Sequence, residues 1–167
     1  MPYSKYRTGP RRIAASIADR MLFFPLLWVE QWLYYHSSPA AVFFSWLVLC
    51  AVLHLLYSVV MHNRYGHTLG KWLFGVRVMD LSETRYLTLS EACRRESVYL
   101  MIEVTGILIF FYMLMNNGDS GNLYESYRNL VRNVGLIWVW LILISMLSNP
   151  KRRSIHDYLG GSVVVRG

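Results

Sequence analysis

Charged residues are scarce in this chain: Asp, Glu, Lys and Arg make up 16% of its 167 residues, whereas hydrophobic residues make up 54%. Soluble domains carry about 25% charged residues, so this scarcity argues against an ordinary soluble fold. Cysteine is scarcer still. Cys50 and Cys93 cannot build a disulfide framework, and we expect two free thiols. The length corresponds to a single domain over residues 1–167.

Acidic residues are also few, with 10 Asp and Glu against 17 Lys and Arg, which gives a net charge of +7. Such an excess of positive charge is typical of nucleic-acid-binding proteins. Here, however, the basic residues lie between hydrophobic runs rather than on a polar domain. We therefore expect them to orient the chain in a membrane, and we expect no nucleic-acid partner.

The hydrophobic runs predict an all-α membrane protein, a four-helix transmembrane bundle. The predicted spans are residues 12–34, 40–61, 97–115 and 130–148, with short connections at 36–39 and 116–122. The polar insertion 62–96 and the tail 149–167 are predicted to form a small cytoplasmic cap. In this cap, residues 68–75 form a short amphipathic helix, and the alternating stretch 76–78 pairs with the valines 163–165 as a two-stranded β element.

The distribution of Lys and Arg predicts the orientation. Fourteen of them lie in the N-terminal segment, the 62–96 insertion and the tail, against two in the opposite loops. Because basic residues favour the cytoplasmic side, both termini are predicted to be cytoplasmic, in a bacterial inner (plasma) membrane. The predicted partners are the lipid bilayer, with anionic lipids at the cytoplasmic face, and a second copy of the chain or a membrane partner protein.

Several ionisable residues lie inside the predicted spans. A charge in hydrocarbon costs about 2.5–3.5 kcal/mol even on the mildest scale, so such residues tend to face protein or water. Arg12, Asp19 and Glu30 share one side of the first helix. Arg12 and Asp19 are about 10 Å apart along the helix axis, so each needs its own partner from elsewhere. The candidate ion or proton path consists of Asp19, Glu103, His54 and Glu30, although the favoured interpretation of His54 is a structural histidine that donates to a carbonyl group of a neighbouring helix.

Three stretches resemble the RDD family of small integral membrane proteins, which is named for one arginine and two aspartates. Residues 12–19 (RIAASIAD) resemble its first-helix pattern, and residues 66–80 (GHTLGKWLFGVRVMD) are similar to its most specific block. Residues 154–165 (SIHDYLGGSVVV) resemble its C-terminal motif, with Ser162 where Thr is commoner. The resemblance implies a signature triad of Arg12, Asp19 and Asp157. It also implies a cap motif, which consists of Gly66, Thr68, Gly70, Lys71, Gly75, Arg77 and Asp80.

The resemblance says less about function than about fold, because most members of the family have no established activity. Proton-coupled cation transport has been suggested for some. A carboxyl group in a low dielectric can alternate between protonated and ionised states, which such transport requires. Asp19 and Glu103 are the transport candidates. The alternative is a non-transporting scaffold or accessory subunit, in which the triad only stabilises the bundle and the basic face binds anionic lipid or a partner.

Enzyme signals are weak, and we expect neither catalysis, nor a cofactor, nor a metal site. The stretch 66–71 superficially resembles a phosphate-binding loop, but its spacing is one residue short and Trp72 replaces the Ser or Thr. His62 and His67 have no Cys or carboxylate at ligand spacing. We expect Arg12 to clamp Asp157 and thereby to attach the tail to the first helix.

Overall fold

The structure, a computed structural model, describes residues 4–36, 39–117 and 123–167. After a short 3-10 turn at Ser4–Tyr6, the elements are α1 (Gly9–Tyr35), α2 (Ala40–Arg64), α3 (Leu69–Leu73), β1 (Val76–Asp80), α4 (Leu89–Asn117), α5 (Leu123–Leu147), α6 (Ile155–Leu159) and β2 (Ser162–Arg166). The predicted connections at 36–39 and 116–122 lie partly outside the described residues.

Three of the four long helices could cross a membrane by length and composition, among the residues described: Ala41–Arg64, Leu89–Met113 and Glu125–Leu147. The long helix α1 has 27 residues but carries Arg12, Asp19, Arg20 and Glu30. The structure thus supports the prediction of a mostly helical protein with several helices that could cross a membrane. Membrane spanning by α1, which a four-span bundle requires, remains a proposal.

Helices α4 and α5 begin earlier than the predicted spans, at Leu89 and Leu123. Helix α4 begins with a capping box, in which the Thr88 amide donates to Glu91 Oε2 (2.8 Å) and the Glu91 amide donates to Thr88 Oγ1 (3.3 Å). This polar start lies before the apolar part of the same helix. The hydrophobic run therefore marks only the apolar portion of each helix and not its first residue.

The two short strands pair antiparallel, with Val78 opposite Val164 and Val76 opposite Arg166. The predicted pairing of the two valine stretches is therefore present. Strands β1 and β2, with the short helices α3 and α6, form one unit at one end of the long helices, which we call the sheet module. Strand β2 is buried on both faces, because Val164 contacts the helices while Val163 and Val165 pack against Tyr6.

Two apolar clusters hold the long helices together. One lies between α2, α4 and α5 and includes Phe43, Leu47, Ile107 and Phe110. The other lies under the sheet module and includes Val59 of α2. The part of the α2–α4 interface between these clusters carries polar residues, and it is there that the candidate site lies.

Candidate functional site

Asp157 of α6 lies between two buried arginines from different helices. Arg12 of α1 donates from Nη2 to Asp157 Oδ2 (2.6 Å), so the predicted clamp is present. Arg95 of α4 places its Nη2 3.0 Å from Asp157 Oδ1. The Asp157 side chain is fully buried, and Arg95 is only 1% exposed. This ionic group joins α1, α4 and α6 in the interior of the protein.

Hydrogen bonds around Asp157 complete this network. The amide and the hydroxyl of Ser154 both donate to Asp157 Oδ2, at 2.9 and 2.6 Å. The Asp157 amide donates in turn to the Ser154 side chain, which with the Ser154 amide bond forms a capping box at the start of α6. Burial alone would raise the pKa of Asp157, but the charges of Arg12 and Arg95 outweigh it and hold this pKa well below its ordinary value. Asp157 therefore carries a permanent negative charge near neutral pH.

Asp19 of α1 forms a second network with α3. Its Oδ1 accepts from the Tyr57 hydroxyl (2.8 Å) and the Gly70 amide (2.8 Å), and its Oδ2 accepts from Thr68 Oγ1 (2.6 Å). The carboxylate thus lies at the N-terminus of α3, where free amides point outwards. A Cβ atom on Gly70 would lie 2.2 Å from the Ala15 carbonyl oxygen, so only glycine allows α3 to approach α1 this closely.

The remaining residues of the 66–80 block shape the backbone of the sheet module. Gly66 and Gly75 adopt φ values of +71° and +59°, in the region that favours glycine. Asp80 accepts from Ser82 Oγ (2.6 Å) at the turn after β1. Arg77 lies exposed on β1. These contacts indicate that these residues of the 66–80 block stabilise the fold of the sheet module.

The third polar group is an ion pair between α2 and α4. His54 Nδ1 lies 3.2 Å from Glu103 Oε1, and both side chains are partly exposed, at 49% and 35%. The Phe23 ring packs against His54 and Tyr57, with centroid distances of 5.2 Å to each. Within the described residues, no hydrogen bond or ion pair joins Asp19 to Glu103. The two transport candidates therefore belong to different networks.

A second histidine–glutamate pair lies two turns further along the same interface. His62 Nδ1 is 3.5 Å from Glu96 Oε1, and the His62 side chain is fully buried. Lys71 of α3 reaches inward and places its Nζ 2.7 Å from His62 Nε2. The basic residue that the sequence placed on a solvent-facing cap is therefore part of the interior. Glu30 lies half-buried on α1, about 16 Å along the helix from Asp19.

Sequence reasoning missed the functions of several residues that complete these networks. Arg95 was counted only as one charge of the basic insertion, and His62 was considered only as a metal ligand. Both lie on the faces of α2 and α4 that carry the buried residues Val59 and Ala92. Helical spacing from these apolar neighbours (His62 three after Val59, Arg95 three after Ala92) is the signal that indicates their burial. No group of three or more His, Cys, Asp or Glu suited to a metal occurs among the described residues.

Comparison with known proteins agrees with the motifs. The model of the RDD family matches residues 7–161, a range that includes Arg12, Asp19, Asp157 and the whole 66–80 block. This chain belongs to the RDD family. The family assignment predicted from the three motifs is thereby confirmed.

The RDD-family chain also has a curated relative, the uncharacterized membrane protein YteJ of Bacillus subtilis (strain 168). The two are 23% identical over 129 residues, which cover 77% of this chain and 58% of the relative. The chain thus spans less than two thirds of the length of that protein. No solved structure matches this chain. Both similarities identify this RDD-family chain as a membrane protein, as the hydrophobic runs predicted.

Proposed function

We propose that this RDD-family protein is a small proton-coupled cation transporter whose central ionisable element is the His54–Glu103 pair. The position of this pair carries the proposal. The predicted apolar portions of α2 and α4, residues 40–61 and 97–115, are centred near residues 50–51 and 106, so His54 and Glu103 each lie within four residues, about one helical turn, of the centre. An ionisable residue at the middle of a membrane helix is a functional candidate by default, because burying a charge there is unfavourable.

The partial exposure of the pair supports a polar path. With 49% and 35% of the two side chains accessible, a lone copy of the chain would present an ion pair to lipid. Each charge in hydrocarbon costs about 2.5–3.5 kcal/mol on the translocon scale, so water or a second protein surface is the favoured neighbour. A second copy of the chain that covers this face would remove the unfavourable contact and enclose a path between protomers.

The second pair extends the polar residues toward the sheet module. His62 and Glu96 lie eight and seven residues from His54 and Glu103, so the two pairs are separated by about 11 Å along the helices. Glu96, Tyr99 and Glu103 line one small cavity together with His54. The α2–α4 interface therefore offers protonatable groups from the centre of the candidate spans to the sheet module.

The contacts of Asp19 favour a structural role for this residue rather than a role in transport. Its carboxylate accepts three hydrogen bonds and holds α3 against α1. Protonation would remove acceptor capacity from this attachment. We therefore base the transport proposal on Glu103 and treat Asp19 as the residue that attaches the sheet module.

The test is ion-driven proton flux in proteoliposomes, followed with an enclosed pH-sensitive dye under imposed Na⁺ or K⁺ gradients. Flux is expected in the wild type and is expected to fall to the protein-free background in Glu103→Gln, which is nearly isosteric but cannot ionise. Glu125→Gln, a change at an exposed residue of α5, is the matched control and should keep wild-type flux. Wild-type flux in Glu103→Gln, or no flux from correctly folded wild type, would refute the proposal.

A scaffold or accessory function is the second candidate, and the exposed surface of α3 favours it. Trp72 and Leu73 are each 66% exposed, and Arg20 on the adjacent helix α1 is exposed too. Apolar and basic residues together suit the interface of a membrane with anionic lipid. Under this function, Trp72→Ser would release lipids that otherwise remain bound in native mass spectrometry, while Glu103→Gln would not.

A further inference from the structure

The Lys71 side chain makes an unusual contact for a lysine: it enters the interior and meets an imidazole. Its Nζ lies 2.7 Å from Nε2 of His62, which is itself fully buried. The other ring nitrogen of His62, Nδ1, faces Glu96 Oε1 at 3.5 Å and the Ser58 hydroxyl at 3.4 Å. His62 thus lies between an amine from the sheet module and a carboxylate on α4.

The short distance between the two nitrogens limits how many protons they carry. A hydrogen bond needs one donor and one acceptor, and an imidazolium has no acceptor nitrogen. Lys71 and His62 therefore cannot both be fully protonated at this separation. The bond exists either as an ammonium that donates to a neutral imidazole or as an imidazole N–H that donates to a neutral amine.

The surroundings make the Lys71 amine easier to deprotonate than an ordinary lysine. Burial lowers the pKa of Lys71 to about 7, and the Arg95 charge contributes to the shift. The other charged or titratable groups that face the pair come from three elements. They are Arg12 and Asp19 on α1, Glu96 on α4, and His156 on α6. Positive and negative charges nearly balance around the amine, so near neutral pH it can both hold and release a proton.

We infer that Lys71 and His62 form a proton-exchanging pair that connects the sheet module to Glu96. A proton leaves Lys71 Nζ and binds His62 Nε2, while the proton on Nδ1 leaves for the Glu96 carboxylate. The amine becomes neutral, the imidazole is again neutral in its other tautomer, and Glu96 becomes a carboxylic acid. Before the amine is reprotonated, the reverse step returns both protons and completes a reversible exchange. For net transfer, water at the sheet module reprotonates the amine, and a turn of the His62 ring with loss of its proton on the sheet-module side restores the starting tautomer.

The transport role of this pair rests on the proposed function, whereas the proton exchange itself does not. Glu96 lies seven residues before Glu103 on the same face of α4, and both carboxylates line the same small cavity, so a proton that reaches Glu96 lies one step from Glu103. The sheet module would thereby contribute the entry point of the path. No other lysine can take this place, because the only other lysines, Lys5 and Lys151, are exposed.

A titration in nanodiscs tests the exchange without any transport measurement. In protein labelled with ¹³C at lysine Cε, three lysine signals are expected, and Lys71→Met identifies one by its loss. That signal should titrate near neutral pH, and the two lysine signals that remain in Lys71→Met serve as internal references. The ¹⁵N signals of His62, assigned with His62→Gln, should change over the same range. A Lys71 signal that stays in its ammonium form above pH 9 would overturn the inference.

Flux measurements test the transport role separately. Lys71→Arg retains the positive charge but cannot release a proton, so it should lose flux together with Lys71→Met, and Lys151→Met should keep it. Wild-type flux in Lys71→Arg would overturn the entry role even if Glu103→Gln abolishes flux. If the wild type shows no flux, the proposed function fails, and the titration alone decides whether Lys71 and His62 exchange a proton.

Discussion

Asp157 shows how one residue can hold three parts of the chain together. Its carboxylate faces Arg12 from α1 and Arg95 from α4, and all three side chains are almost completely removed from solvent. Burying a charge without a partner is strongly unfavourable, so each member of the group requires the others. A network of this kind specifies one arrangement of helices and tail.

Asp157→Asn is expected to lower the free energy of unfolding by about 3–5 kcal/mol, because it leaves two buried guanidinium groups without their counter-charge. Thermal or chemical unfolding in detergent measures this effect. Glu125→Gln, on the exposed surface of α5, should unfold like the wild type. Equal unfolding midpoints for Asp157→Asn and the wild type would contradict a stabilising role for the ionic group.

The pH dependence of stability follows from the direction of the Asp157 shift. Its folded-state pKa lies well below its ordinary value, so folding favours the ionised form. The contribution of Asp157 is thus fully present above the unfolded-state pKa of about 3.9 and is lost as the pH falls below it. The stability difference between wild type and Asp157→Asn should be constant from pH 8 to 5 and should shrink below pH 4. A difference that already shrinks between pH 7 and 5 would contradict this assignment.

At the scale of elements, α3 is attached to α1 through the Asp19 carboxylate, and Gly70, which has no side chain, lets the two helices approach closely. Asp19 accepts hydrogen bonds from Thr68 and from Gly70, and Gly70 lies against the Ala15 carbonyl. The short helix would not be stable alone, because five residues provide too few internal hydrogen bonds. Its position therefore depends on this contact.

Gly70→Ala is expected to force α3 away from α1, since its Cβ would lie 2.2 Å from the Ala15 carbonyl oxygen and 2.9 Å from Asp19 Cγ. Overpacking of this kind costs about 1–3 kcal/mol. Hydrogen exchange of residues 66–80 should become faster, and the melting temperature should fall. Gly135→Ala provides the matched control, because nothing lies within 4 Å of its Cβ. Unchanged exchange in Gly70→Ala would contradict the close packing.

At the scale of the whole molecule, polar contacts satisfy part of the charge that argues against membrane spanning by α1. Arg12 is paired with Asp157, and Asp19 accepts three hydrogen bonds, so two of its five charged residues are satisfied near the sheet module. The segment that follows Arg20 is apolar except for Glu30 and Gln31. We therefore propose α1 as the fourth span, with the sheet module on the cytoplasmic side.

Labelling of single cysteines in intact cells tests this topology. In a chain without Cys50 and Cys93, a membrane-impermeant maleimide should label His36→Cys directly and Lys5→Cys only after permeabilisation. If α1 crosses the membrane, these two positions lie on opposite sides. Labelling of both positions, or of neither, in intact cells would show that α1 does not span.

The sequence by itself determined the features that depend on local pattern. Hydrophobic runs of helical length identify the membrane helices, alternating valines predict β1, a run of three valines predicts β2, and the Thr88–Glu91 spacing predicts the start of α4. The contact of Arg12 with Asp157 was also predictable, since a charge near an apolar helix needs a partner and the family motif supplies one. Each of these inferences uses short-range periodicity or the energy of an isolated charge.

Only the tertiary structure decided which polar groups meet. Lys71 has the same local signature as the solvent-exposed basic residues of the insertion, yet it contacts His62. Helical spacing indicates that Arg95 is buried, but it does not identify Asp157 as its partner. Asp19 and Glu103 are equivalent in the sequence, as carboxylates in predicted spans. In the structure, however, Asp19 accepts a hydrogen bond from Gly70 at the start of α3, whereas Glu103 pairs with His54. The reason is physical: charge and hydropathy are read along one chain, whereas pairing depends on distances between segments that only packing brings together.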